Sequence, residues 1–177
     1  MSRRRLVVFA AIASAVLAAD QVTKALVRAY IGLHDQIALI PDILWLTHVQ
    51  NDGAAFGVLD GGRWLFVTIS VVVLVVILWA LLTLASQSRA LLVGLGLVFG
   101  GAVGNMIDRI AVGTVTDFFD LGWFPVFNIA DIALDVGVAL IVLWLLFSPE
   151  HRAADARGQT PGPDDPAAGH GGGGPVL

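Results

Sequence analysis

Cysteine is absent from the 177-residue chain, and its absence removes several kinds of chemistry at once. Disulfide bonds, thiolate nucleophiles and cysteine-ligated metal sites are excluded. The four histidines form no HExxH motif, so a zinc hydrolase is not predicted. No GxSxG motif marks a serine nucleophile. Carboxylates are therefore the side chains left for hydrolytic chemistry.

Charged residues are also few, at 14% of the chain, whereas 57% of the residues are hydrophobic. A soluble domain of this length seldom exceeds about 50% apolar residues. The hydrophobic residues fall in runs of about 20, long enough to cross a ~30 Å hydrocarbon core as helices. The four runs are Leu6–Val27, Trp64–Ala85, Ala90–Val112 and Val126–Phe147. We predict an all-α polytopic membrane protein with four transmembrane helices.

The N-terminal sequence SRRRLVVFAAIASAVLAAD has the basic and apolar parts of a cleavable secretory signal. The apolar stretch continues past Asp20, however, and removing it would leave an odd number of spans, so we predict an uncleaved first helix. The distribution of arginines then predicts that both termini are cytoplasmic. One side of the four-span arrangement carries Arg3, Arg4, Arg5, Arg89, Arg152 and Arg157, and the other carries Arg28, Arg63 and Arg109.

The connection between the first two spans, residues 29–63, is too long for a simple loop. Ile43–Val49 has the composition of a strand and lies between two turn signals, Pro41-Asp42 and Asn51-Asp52-Gly53. We therefore expect a small extracytoplasmic β element between helices 1 and 2. Residues 1–149 form the predicted membrane domain, and residues 150–177, rich in Gly, Pro and Asp, form a predicted disordered cytoplasmic tail. Tryptophans expected to anchor the outer interface are Trp45, Trp64 and Trp123.

Polar residues on three spans fall at one depth. At 1.5 Å per residue, Asp20 and Asn105 lie roughly 21 and 22 Å from the cytoplasmic edge, and Asp131 lies roughly 8 Å below the outer edge. In a ~30 Å core these levels agree within a helical turn. An acid near the centre of a span costs roughly 3 kcal/mol, so Asp131 is a candidate functional residue.

Each of these polar residues also has a purely structural interpretation. Asp20 and Lys24, at i and i+4, form a self-neutralising pair under that interpretation, and Asp108 and Arg109 snorkel to the interface. Asp120 is then an ordinary solvated loop residue. Two further features are the role of Asp135, which stays undecided, and a glycine pattern, which has a structural interpretation. Asp135 shares the face of Asp131 as a partner or a protonated structural acid, and the spacing of Gly96, Gly100 and Gly104 is typical of close helix packing.

Two neighbouring carboxyl groups share a proton because both cannot ionise cheaply. The ionised group accepts a proton from an attacking water, and the protonated group polarises a carbonyl and assists the leaving amine. Asp117 and Asp131 are candidates for such a pair, since a short connection joins them. Two alternatives remain: a proton-coupled transporter or channel subunit with a relay through Asp20, Asp131 and Asp135, and a non-catalytic scaffold.

The chain from about residue 6 to residue 147 resembles the lipoprotein signal peptidase (signal peptidase II) family. The matching motifs, in order, are Asp20–Lys24 (DQVTK), Asn51–Phe56 (NDGAAF), Gly100–Arg109 (GGAVGNMIDR), Val115–Phe118 (VTDF) and Phe127–Asp131 (FNIAD). The resemblance implies a membrane aspartyl endopeptidase. It implies that this enzyme cleaves prolipoproteins before a cysteine that carries diacylglycerol.

The resemblance also implies roles for individual residues. The catalytic pair is Asp117 and Asp131, supported by Asp20 and Lys24. The substrate site is implied to contain Asn51, Gly104, Asn105, Arg109, Asn128 and Ala130. The expected partners are lipidated precursors and membrane lipids, and no nucleic acid is expected to bind. The protein is expected to be a monomer that needs no metal or cofactor. Its expected location is the bacterial cytoplasmic membrane, with the active site near the outer leaflet. Two departures from the family pattern are Ile132, where a small hydroxyl residue is usual, and the short connection between the two catalytic aspartates.

Overall fold

Four helices are long and apolar enough to cross a membrane, as predicted. The computed structural model describes residues 2–53, 62–84 and 88–147. The helices are α1 (Arg3–Tyr30), α2 (Gly62–Thr83), α3 (Arg89–Ala111) and α4 (Ile129–Phe147). α4 begins three residues later than predicted, because Asn128 caps it with its side chain: the N–H of Asp131 donates to Asn128 Oδ1 at 3.0 Å. The predicted tail, residues 150–177, lies outside the described residues.

Glycines on α3 allow its neighbours to approach closely. A Cβ at Gly100 would lie 2.7 Å from the carbonyl oxygen of Ala13 on α1, and a Cβ at Gly101 would lie 2.5 Å from that of Ala130 on α4. Lower on α3, Gly94 faces Gly137 of α4 in the same way. The structure thus confirms that the small-residue pattern serves helix packing. It also places α3 between α1 and α4.

An apolar cluster joins α3 to α1 and α2. Its buried members are Phe9, Ile77, Leu81, Leu91, Leu92, Leu95 and Val98. Many of the remaining apolar side chains on α2 and α4 are exposed, among them Val72 and Leu143. Exposed apolar surface on a helix of this length is suited to lipid, in which apolar side chains need no burial.

A three-stranded antiparallel sheet accompanies the helices, with strand order β1-β2-β3. β1 (Gln36–Ile40) and β2 (Leu44–Asn51) form a hairpin between α1 and α2, which confirms the predicted β element. β3 (Val115–Asp120) comes from the connection between α3 and α4 and pairs Asp117 with Val49 and Val115 with Asn51. This third strand was not predicted from the sequence, because its hydrogen-bonding partner, β2, is distant in the sequence.

Candidate active site

Asp117 lies on β3 with its side chain almost fully buried, at 2% exposure for the residue. Both carboxylate oxygens accept amide hydrogen bonds. Asn51 Nδ2 donates to Oδ2 at 2.8 Å, and Asn128 Nδ2 donates to Oδ1 at 2.6 Å. Asn51 is the last residue of β2, so the pairing of β2 with β3 brings these two side chains together.

Asp131 lies in the first turn of α4, where a carboxylate is favoured by the helix dipole. Its Oδ2 accepts the backbone N–H of Asn128 at 3.1 Å, while its own N–H donates to Asn128 Oδ1 at 3.0 Å. This reciprocal pair has the form of a capping box. Asp131 Oδ1 accepts from Asn105 Nδ2 of α3 at 2.7 Å. The carboxylate is therefore oriented by two separate helices.

Two asparagines connect the carboxylates. Asn128 donates through Nδ2 to Asp117 and, at 3.1 Å, to Asn105 Oδ1, and Asn105 in turn donates to Asp131. Both asparagines are buried, Asn128 completely and Asn105 to 6% exposure. Since buried amides in a satisfied network have little freedom to rotate, the two aspartates are held in a defined relation.

Lys24 and Asp20 lie behind this network, and both are completely buried. Lys24 Nζ contacts Asp20 Oδ2 at 2.9 Å and donates to Asn105 Oδ1 at 2.8 Å. Asp20 Oδ1 accepts the N–H of Ala130 at 3.1 Å. The expected ion pair forms, but it also links α1 to α3 and to the start of α4. Its role is therefore more than self-neutralisation.

Gly104 provides the space that this contact needs. A Cβ at that position would overlap the carboxylate of Asp20 and would lie 3.6 Å from the Cβ of Ala130. Ala130 is completely buried. The glycine therefore lets the Asp20 carboxylate enter between α3 and α4, and a larger side chain would expel it.

Burial raises the pKa of Asp117 to about 6. This value is the net result of several effects: the charge of Asp131 also raises the pKa of Asp117, whereas the hydrogen bonds from Asn51 and Asn128 and the charge of Lys24 lower it. Desolvation of the charged form is the main cause. A carboxyl that titrates near neutral pH is suited to exchange a proton during a reaction.

Arg109 lies within electrostatic reach of both Asp117 and Asp131, as Lys24 does of Asp117. Its guanidinium carbon is 4.8 Å from the ring centroid of Phe66 on α2, and Nη1 donates to the carbonyl oxygen of Asn105 at 3.5 Å.

The snorkelling interpretation of Asp108 was wrong. Asp108 is 1% exposed and accepts the N–H of Thr116 at 3.0 Å, because β3 folds back over the end of α3.

Three residues singled out in the sequence lie apart from this network. Asp120 accepts from Thr47 Oγ1 and from the N–H of Gly122, as a turn residue does. Asp135 is exposed one turn beyond Asp131. Ile132 is 43% exposed, and the hydrogen bonds of Asp131 form without a hydroxyl at that position.

Sequence reasoning missed Gln21, Arg28 and Thr116, whose side chains all join this region. Gln21 Nε2 donates to Asp20 at 3.0 Å, and Arg28 Nη1 donates to Thr116 Oγ1 at 2.9 Å. A usable signal was present for Arg28, because Asp20, Lys24 and Arg28 are spaced by four and share one helix face. Within residues 2–53, 62–84 and 88–147, no group of three or more His, Asp or Glu side chains is placed to hold a metal ion.

A pair of aspartates joined by buried amides, beside four membrane-length helices, is the arrangement of a membrane aspartic peptidase. The sequence profile of the family described as Signal peptidase (SPase) II matches residues 12–147. The chain belongs to this family, peptidase family A8, and is therefore an aspartic peptidase; it is also a multi-pass membrane protein.

Known relatives agree with this assignment. The lipoprotein signal peptidase of Symbiobacterium thermophilum is 50% identical over 131 residues, covering 72% of this chain and 86% of that protein. The lipoprotein signal peptidase of Shouchella clausii is 42% identical over 147 residues, covering 82% of this chain and 97% of that protein. A bacterial membrane enzyme solved by the in meso method at 1.9 Å resolution superposes with a TM-score of 0.77. It shares 36% identity and covers 80% of this chain and 94% of that one.

Proposed function

We propose that the protein removes signal peptides from diacylglyceryl-modified prolipoproteins by cleaving the bond before the lipidated cysteine, with Asp117 and Asp131 as the catalytic pair. One observation carries this proposal: Asn128 and Asn105 bridge the two carboxylates in an unbroken line of hydrogen bonds. The relatives are lipoprotein signal peptidases, and their activity supplies the proposed substrate class.

The pair acts by general acid–base catalysis. One aspartate is ionised and takes a proton from a water molecule, whose oxygen attacks the carbonyl carbon of the scissile bond. The other is protonated and donates a hydrogen bond to the carbonyl oxygen as negative charge develops there. When the tetrahedral intermediate collapses, the C–N bond breaks and a proton passes to the departing amine of the cysteine. The raised pKa of Asp117 favours the shared-proton state on which this cycle depends.

The proposed substrate residues divide by exposure. Asn51 is exposed and Arg109 is partly exposed, so these two contact the peptide directly. The others are buried and act by holding the carboxylates and the start of α4 in place; they are Gly104, Asn105, Asn128 and Ala130. Asp20 and Lys24 support the same site from α1.

The lipid places the substrate at the required depth. Each buried methylene favours membrane partition by about 0.8 kcal/mol, so two acyl chains concentrate the precursor at the bilayer. In the proposed topology both termini are cytoplasmic, and the site lies near the outer leaflet of the bacterial cytoplasmic membrane. Reporter fusions after Ser88 and after Asp42 test this orientation: the first reads cytoplasmic and the second reads external.

The decisive assay uses purified protein in detergent with a precursor peptide that carries diacylglycerol on its cysteine. The matched control is the same peptide with an unmodified cysteine. We expect cleavage of the lipidated peptide, with a new N-terminus at the cysteine, and little cleavage of the control. Equal rates for the two peptides would contradict the lipid requirement, and no cleavage of either would refute the proposed function.

A further inference from the structure

Asp108, in the last turn of α3, connects three elements of the fold. Its Oδ2 accepts the N–H of Thr116 on β3 at 3.0 Å and lies 3.5 Å from Lys24 Nζ on α1. Its Oδ1 lies 3.5 Å from Arg28 Nη1 and accepts from Gln21 Nε2 at 3.4 Å. The residue is 1% exposed, so these contacts replace water around its charge.

The shortest of these contacts is the hydrogen bond from the Thr116 N–H, which lies beside Asp117, the proposed catalytic residue on β3. Thr116 immediately precedes Asp117 and is completely buried. Its N–H is held by Asp108, and its hydroxyl accepts from Arg28 at 2.9 Å and from Gln50 at 3.2 Å. Asp117 follows directly on the same strand, so holding Thr116 fixes the part of β3 from which the Asp117 side chain extends toward Asn51 and Asn128.

Charge is also balanced around this point. The described charged and titratable groups near Thr116 and Asp117 are Asp20, Lys24 and Arg28 on α1, Asp108 and Arg109 on α3, Asp131 on α4 and His48 on β2, which reaches Thr116 through Gln50. Lys24 and Arg28 are matched by Asp20 and Asp108. Without the charge of Asp108, one excess positive charge would lie close to the catalytic pair and would favour its ionised form.

We propose that Asp108 is a positioning residue for Asp117: it fixes β3 through the Thr116 N–H, and it cancels the charge of Arg28 so that the aspartate pair retains its shared proton. This inference rests on the proposed peptidase function. It assigns Asp108 no contact with substrate.

Two substitutions separate the two roles. Asn at position 108 keeps an oxygen for the Thr116 N–H but carries no charge, so Asp108→Asn should shift the bell-shaped pH–rate profile to lower pH with only a modest loss of kcat. Ala removes the oxygen as well, so Asp108→Ala should lower kcat about 100-fold while KM changes little, as expected when a reacting group is displaced by about 1 Å. Combining Asp108→Asn with Arg28→Gln restores the charge balance and should return the profile toward that of the unmodified protein.

Control measurements distinguish positioning from folding. Asp120→Asn, on the same strand, should leave kcat and the pH profile unchanged. Thermal unfolding in detergent measures the folded fraction of each variant, and Asp108→Asn remains informative if Asp108→Ala does not fold. Titration of the carbon-13-labelled carboxyl of Asp117 gives a readout that needs no turnover, and it should show a lower pKa of Asp117 in Asp108→Asn.

The possible outcomes separate this inference from the proposed function. Suppose that the unmodified protein cleaves the lipidated peptide, but that the pH–rate profile of Asp108→Asn is unchanged or shifted to higher pH. The positioning role is then refuted, and the peptidase function stands. If the unmodified protein does not cleave it, the proposed function fails, and the Asp117 titration still tests the electrostatic role of Asp108. Variants that merely lose folded protein, with normal kcat per folded molecule, would also overturn the inference.

Discussion

Replacing Asn51 by alanine should move the acid limb of the pH–rate profile to higher pH. Asn51 Nδ2 donates to Asp117 Oδ2 at 2.8 Å, while Asn51 Oδ1 accepts the N–H of Gly53 at 2.9 Å. The contact with Gly53 orients the amide so that its N–H points toward the carboxylate. The hydrogen bond stabilises ionised Asp117 and lowers its pKa against the larger effect of burial. Its removal therefore favours the protonated form.

The size of this shift can be estimated from the contact. A hydrogen bond to a charged group contributes about 1.5 to 3 kcal/mol. Asn51 is exposed, so water takes over part of the lost interaction, and the lower figure applies. About 1.5 kcal/mol corresponds to a shift of about one pH unit. Asn51→Asp should shift the limb further in the same direction, because it replaces a donor by a second negative charge.

The assay is kcat measured on the lipidated precursor peptide across both limbs of the profile. Because the charge of Asp131 affects the pKa of Asp117, the apparent values measured from the profile are assigned to the pair, and the comparison between variants is the informative quantity. Asp120→Asn serves as the control with an unchanged profile. An acid limb that stays in place in Asn51→Ala, or that moves to lower pH, would refute the assigned role of this hydrogen bond.

Three further predictions concern the pair and its support. Asp117→Asn and Asp131→Asn should each lower kcat at least about 100-fold, because in the proposed mechanism each removes a proton-transferring group, whereas Asp120→Asn should retain activity in the same peptide assay. Gly104→Ala should expel the Asp20 carboxylate from between α3 and α4 and lower the free energy of unfolding by about 2 kcal/mol, measured by denaturation in detergent; unchanged stability would contradict the close contact. EDTA and reagents directed at serine or cysteine should leave the rate unchanged, since two carboxyls supply both acid and base; loss of activity on chelation would show that this mechanism is wrong.

Much of the fold could be predicted from local properties of the sequence. Hydrophobic runs of membrane length identify spans without any knowledge of their neighbours, and all four were confirmed. The agreement in depth between Asp20, Asn105 and Asp131 follows from the constant rise of a helix. The structure joins these three residues through Lys24 and the amide of Asn105. The strand β2 could also be predicted from the sequence, because turn-forming residues precede and follow it.

Other features depended on partners that are distant in sequence. The segment 115–120 becomes a strand only because β2 is placed beside it, and a strand needs such a partner to satisfy its backbone groups. The position of Asp108 near the end of a helix suggested that its side chain lies at the membrane interface. In the structure β3 packs over the end of α3, so Asp108 is buried and accepts a hydrogen bond from the Thr116 N–H.

The sequence by itself thus determined which helices are long and apolar enough to cross the membrane, which acids they carry and how far along each helix these acids lie, because length, hydropathy and helical rise are properties of single segments. Only the tertiary structure decided how those acids are held. The two aspartates come from β3 and α4, and their orientation depends on Asn105 and Asn128. A buried hydrogen bond requires atoms of different segments to meet within about 3 Å, and that meeting is a property of the packed chain.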